Sequence, residues 1–139
     1  MKIILLIHVF TTVFMTGLCW FVQVVHYPLF REIDSDKFPA YERKNLITGV
    51  ITVPIMTIEL ITGIILLFNS SASLYIINMI LLAFVWLSTF LFQVPIHLKL
   101  MSEGSPKLIT KVIRTNWIRT LSWTARTLLV GYIIFELII

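Results

Sequence analysis

Apolar side chains dominate four long segments of the chain, residues 3–27, 46–68, 74–94 and 117–138, separated by shorter stretches that hold most of the charge. A helix of about 20 apolar residues crosses the roughly 30 Å hydrocarbon core of a bilayer, and each segment reaches that length. No Asp, Glu, Lys or Arg lies between Lys2 and Arg31 or between Glu59 and Lys99, which leaves uncharged stretches of 28 residues (3–30) and 39 residues (60–98). The pattern predicts an all-α, multi-pass membrane protein: one up-down four-helix transmembrane bundle filling residues 1–139. Residues 28–45 and 95–116 are expected as cytoplasmic loops, and residues 69–73 as a short outer turn.

Composition supports this reading. Apolar residues make up 58% of the chain and charged residues 13%, against roughly 45–50% and 25% in soluble domains. The net charge of +4 does not point to nucleic acid, because the basic residues flank apolar runs instead of forming one patch. The bilayer itself is the expected anionic partner. Arg31, Lys37, Arg43 and Lys44 lie in the first expected loop and Lys99, Lys107, Lys111 and Arg114 in the second, whereas the opposite side has Lys2 alone. By the positive-inside rule both termini lie outside the plasma (inner) membrane. A cleaved leader is not expected: Leu18 before Cys19 is too bulky for a lipoprotein site, and the apolar run continues to Pro28. Cys19 is the sole cysteine, so no disulfide and no cysteine-based metal site is expected. Gly104-Ser105-Pro106 reads as a break, a helix N-cap and a proline in the first turn, starting the last helix well before its apolar part. Lys107, Lys111 and Arg114 then share one face, suited to lipid phosphates.

Polar side chains are costly in lipid and face the bundle interior or a wet cavity. Thr16, Trp20, Gln23 and Tyr27 in the first helix follow steps of 4, 3 and 4, as do Thr52, Met56, Glu59 and Gly63 in the second and Trp86, Phe90, Gln93 and His97 in the third. Asn116, Arg119, Trp123 and Arg126 cover a comparable arc of the fourth. Glu59 and Arg126 fall at matching depth near the midplane, with Gln23, Gln93, His26, His97, Asn116 and Arg119 toward the cytoplasmic boundary. This pattern predicts a cavity entered from the cytoplasmic side with Glu59, Arg126, Trp86 and Trp123 at its floor. The segments around Gln23 and Gln93 also resemble each other, Phe-Val-Gln-Val-Val-His against Leu-Phe-Gln-Val-Pro-Ile-His, which raises an internal duplication.

Three functions suit such a seam. In the first, the cavity binds, with or without chemical conversion, a hydrophobic aromatic or quinone-like molecule. Trp20, Trp86 and Trp123 would stack on it, while Gln23, Gln93, Asn116 and Arg119 fix its oxygens. Glu59, Arg126, His97 and His26 would handle protons and charge, with no metal. In the second, His26 and His97 ligate a single b-type haem. In the third, Glu59 exchanges protons in a small carrier, which would work as a homo-oligomer.

The Tyr27-Pro28 and Val53-Pro54 prolines, the segment from Pro95 to Leu100, and the Trp and Arg pattern of the last helix resemble small bacterial four-helix membrane proteins grouped around anthrone-oxygenase-like sequences. That resemblance implies oxidation of an activated phenolic substrate by dioxygen without metal or flavin. The chain is also similar, over most of its length, to an uncharacterised bacterial family with Gln-Val-x-His-Tyr-Pro and Asn-Trp-x-Arg-Thr-x-x-Trp-x-x-Arg segments, here Gln23 to Pro28 and Asn116 to Arg126.

Overall fold

A computed structural model describes residues 1–69 and 73–138, so the centre of the expected 69–73 turn lies outside the described residues. Their regular structure is entirely helical, with no strand among the described residues. α1 (Lys2–Phe21) runs through a wide π-helical turn (Val22–His26) into a 3-10 turn (Pro28–Glu32). α2 (Phe38–Asn45) leads almost directly into α3 (Ile47–Asn69), which contains Pro54. α4 (Ser73–Ser88) continues through a second π turn (Thr89–Gln93) into α5 (Val94–Leu100), and α6 (Pro106–Ile138) closes the chain.

The helical stretches Lys2–Glu32, Phe38–Asn69 and Ser73–Leu100, of 31, 32 and 28 residues, are long and apolar enough to cross a membrane. α6, at 33 residues, is longer but carries Arg119, Arg126 and Glu136 within its apolar part. The expected loops are therefore mostly helix. Only residues 33–37 and 101–105 interrupt it, because Pro39 and Pro106 sit in helix first turns, where a missing N–H costs nothing. The Ser105 carbonyl accepts the first helical bond of α6 from Ile109 N–H. Gly104 passes so close to the Ser35 backbone that any Cβ would collide with it, which fixes glycine where the two short loops meet.

Both π turns precede a proline, Pro28 and Pro95. A proline ring clashes with the carbonyl four residues back, and a wider turn moves that carbonyl aside. The two similar segments around Gln23 and Gln93 thus share local geometry, and both glutamines are buried.

α1 packs against α3 and α6, and α4 packs against the same two helices. The pairs His8–Thr62 and Thr12–Glu59, Thr16–Thr127 and Gln23–Asn116, and Asn78–Arg126 and Gln93–Thr115 show each of these neighbours running antiparallel. The interior is unusually polar, including His8, Thr12, Glu59, Asn78, Asn116 and Arg126. The outside is apolar, with side chains such as Leu6, Phe10, Val50, Phe68 and Leu128 fully presented. This polarity is inverted relative to a soluble bundle.

Four layers stack along the axis. The first is a polar knot around Glu59 and Arg126. Next comes an apolar layer of Met15, Cys19, Met56, Val85 and the Trp123 ring. A cavity follows, and beyond it a cap of Tyr27, Phe30, Phe38, Ile96, Leu100, Ile109 and Val112.

Candidate functional site

The knot draws on all four bundle helices. Glu59 Oε1 accepts from the Thr12 hydroxyl (2.8 Å) and from Arg126 Nη1 (2.5 Å), while Trp123 Nε1 donates to both carboxylate oxygens at 3.2 and 3.0 Å. Arg126 Nε and Nη2 donate to Asn78 Oδ1 (3.2 and 3.0 Å), and Nη2 faces His8 Nε2 at 3.5 Å. The Thr62 hydroxyl gives its own proton to the Ile58 carbonyl, so His8 Nδ1 donates to Thr62 Oγ1 (3.0 Å). Glu59 and Arg126 have no solvent exposure. With charge matched to charge and most lone pairs and protons engaged, the knot offers a ligand no unpaired ionic group.

The cavity has a volume of about 280 Å³ and lies between α1, α3 and the α4–α5 segment, with Arg119 reaching in from α6. Its floor is Met15, Cys19 and Met56, so it stops at the apolar layer and does not extend to Glu59, Arg126, Trp86 or Trp123. The cytoplasmic mouth expected from the sequence is closed. The segment after Pro28 folds back, and Phe30, Phe38 and Leu100 are wholly buried over that end. The side is open instead. Exposed apolar residues on α1 (Phe21), α3 (Ile51, Val53) and α5 (Val94, Leu98) line the cavity, so it reaches the apolar flank of the bundle.

One wall is a chain of hydrogen bonds whose proton directions can be deduced. Thr115 gives its hydroxyl proton to the Lys111 carbonyl (2.9 Å), so it accepts from Gln93 Nε2 (3.0 Å), and the Gln93 oxygen must face Tyr27. The Tyr27 hydroxyl donates to that oxygen (3.1 Å). His97 Nε2 lies 2.9 Å from the same Tyr27 hydroxyl oxygen. His97 Nδ1 lies 2.6 Å from Glu42 Oε1 with one proton between them. Glu42, only 1% exposed, also accepts from Asn45 Nδ2 (3.3 Å), and Asn45 Oδ1 meets His26 Nε2 (3.0 Å). The Glu42 carboxyl group is thus partnered by both His97 and Asn45.

Arg119 is treated differently. It is 9% exposed, and its Nη1 donates to Asn116 Oδ1 (3.3 Å). Its Nε has no partner, and no carboxylate pairs with it. The Trp123 ring, 5.3 Å from the guanidinium carbon, gives a cation–π contact from below. Asn116 is held in turn by donating to Gln23 Oε1 (3.0 Å). The cavity therefore contains one buried cation held in place but not neutralised.

Of the residues singled out from sequence, His26, Gln93, His97 and Arg119 line the cavity, and Gln23 and Asn116 stand behind Arg119. Glu59, Arg126 and Trp123 form the knot. Trp20 is 39% exposed on the bundle surface, edge-on to Trp117 and bonded to Thr124 (3.0 Å). Trp86 stacks on Phe90 and does not line the cavity. Sequence reasoning placed Tyr27 on the polar seam, and that residue lines the cavity; the same reasoning missed His8, Thr12, Thr62 and Asn78 in the knot and Glu42 and Asn45 at the cavity. Glu42 and Asn45 fell in a presumed loop, although Phe38, Tyr41, Glu42 and Asn45 already show helical spacing.

Both ring nitrogens of His97 are engaged, so ligating a haem would require displacing Tyr27 or Glu42. Among the described residues no group of three His, Cys, Asp or Glu side chains is arranged to hold a metal ion. Comparison with protein-family models, curated proteins and solved structures finds no match.

Proposed function

We propose that this protein is a four-span integral membrane protein of the plasma membrane, both termini outside, which binds a hydrophobic aromatic or quinone-like molecule in the cavity beside Arg119. The observation that carries the reading is the Arg119 guanidinium, buried against an apolar cavity without an acidic partner. Burying a charge without a counterion is costly, and a protein that retains one gains something else from it. The apolar surface and the polar interior support the membrane assignment, and the loop charges support the orientation. A volume of about 280 Å³ lies just below the range of drug-sized pockets, roughly 300–1,000 Å³, and suits a ring-sized head group. Gln93 has a second amide N–H beyond its bond to Thr115, which would orient a carbonyl or hydroxyl oxygen. The Glu42–His97–Tyr27 chain would let the site move a proton on the bound molecule, in which case conversion follows binding. Glu59 and Arg126 serve in this reading as the intramembrane ion pair that fixes the bundle.

Mass spectrometry of small molecules retained through purification in mild detergent tests the proposal. Gly49 lines the cavity, and a Cβ there meets nothing within 4 Å, so Gly49→Phe should fill the space without distorting α3. Wild type should retain a molecule that Gly49→Phe loses. An identical small-molecule profile in both proteins would remove the cavity from consideration as a binding site.

A further inference from the structure

The cavity's charge constrains the chemistry of its occupant. Two acids are buried in the described interior, Glu42 and Glu59, and each has its own partners: Glu59 has Arg126, and Glu42 has His97 and Asn45. Arg119 is the remaining buried cation. Arg119 thus has no acidic partner within salt-bridge distance among the described residues, and a single negative charge is what would pair with it. A dianion would leave a negative charge in an apolar pocket, and a neutral molecule would leave Arg119 as it is.

The position of the charge adds direction. Arg119 approaches from α6, and across the cavity lie the exposed apolar residues of α1, α3 and α5 that form its open flank. A molecule with its charge on the guanidinium would extend its apolar body toward that flank, where the bundle surface is itself apolar. A small hydrated ion would gain nothing from such a lining, while an amphiphilic anion meets suitable chemistry at both ends.

We infer that the molecule bound in this cavity is a lipid-soluble organic monoanion, a phenolate, enolate or carboxylate, held by Arg119 and admitted sideways between α3 and its neighbours α1 and α5. The inference rests on the cavity being a binding site and adds the charge state and the route. Gln93, whose amide has a second N–H beyond the bond to Thr115, then serves as a hydrogen-bonding neighbour for the anion's other oxygens.

Matched probes test it in phosphatidylcholine nanodiscs, with empty nanodiscs subtracted. One pair is dodecanoate and dodecanol; the other is a long-chain alkyl nitrophenol, ionised at pH 8, and its methyl ether. Titration calorimetry should show wild type binding each anion at least tenfold more tightly than its neutral partner. The preference should persist in Arg119→Lys and fall below twofold in Arg119→Met. The stronger of the two anions tells carboxylate from phenolate, and either supports the inference. Anion and neutral probe binding wild type equally, while both are lost in Gly49→Phe, would overturn the charge assignment and leave the cavity as a binding site. Displacement of the anion by chloride or by phosphatidylglycerol would give Arg119 to a halide or a lipid headgroup and overturn it too. Absence of any binding sensitive to Gly49→Phe would defeat both readings.

Discussion

The Glu59–Arg126 pair allows a quantitative test, because its surroundings are closed and its partners are known. In Glu59→Gln the shape is kept, but Arg126 retains Asn78 Oδ1 as its strongest partner, and an arginine cannot shed its charge. That variant should lose about 4–5 kcal/mol, the upper end for a buried pair with one partner removed. Arg126→Met strands a carboxylate that still has Thr12 and Trp123 as donors and can neutralise itself by taking up a proton, so its loss should be about 3 kcal/mol. The double variant leaves one orphaned amide, Asn78, and no charge, which costs about 1–2 kcal/mol. It should therefore be more stable than either single variant, with a coupling of about 6 kcal/mol between the two sites. Reversible unfolding in mixed micelles titrated with SDS, followed by tryptophan fluorescence, reads all four proteins on one scale. If the double variant is as unstable as the two single losses added together, the charges act independently and the knot is not one unit.

Other expectations follow from the same structure. Arg119→Met should leave the ligand-free melting temperature unchanged or raise it, since it removes a buried cation that no acid offsets; a clear loss of stability would mean that the guanidinium holds the fold. In Gly63→Ala the new Cβ would lie 2.7 Å from Met79 Sδ and 3.1 Å from His8 Cε1, so the variant should lose about 1–3 kcal/mol, and Met79→Ala in the same chain should restore part of it. Phe38→Ala should cost about 3–5 kcal/mol by opening the cap, and a cysteine placed at Asn45 should react faster with a soluble thiol reagent in that background. For topology, Lys37→Cys should be labelled from the cytoplasm alone and a reporter fused after residue 139 should be active outside alone; the opposite pattern inverts the orientation.

Helix number and the matching level of Glu59 and Arg126, which pair in the interior, were legible in the sequence because period and charge spacing report directly on buried faces. The face of α1 was misjudged. The seam read as Thr16, Trp20, Gln23 and Tyr27 is in fact centred on His8, Thr12, Met15, Cys19 and Gln23, with Trp20 outside. In the third rod the buried positions run Asn78, Leu82, Val85, Ser88, then Gln93, and the step of five marks the π turn. A fixed 100° per residue cannot carry a helical wheel through such a turn, so Trp86 and Phe90 were placed on the same face as Gln93 and His97. The cap was hidden for another reason. Phe38 and Glu42 lie in a short, charged segment whose helix exists because it packs on α5, and tertiary packing leaves little trace in local composition.

The knot also bears on how the chain is made. Under the membrane reading, α1, α3 and α4 emerge from the ribosome first, carrying His8, Glu59 and Asn78 into lipid before a guanidinium exists to meet them. Arg126 and Trp123, the cation and the indole donor that engage Glu59, arrive only with α6, which is also the rod least suited to partition alone. Insertion of α6 is thus coupled to docking: the three earlier helices form a template whose unmatched carboxylate draws the last one in. Synthesis halted before α6 would leave a buried carboxylate without its cation, a feature by which membrane quality control can recognise an unfinished chain.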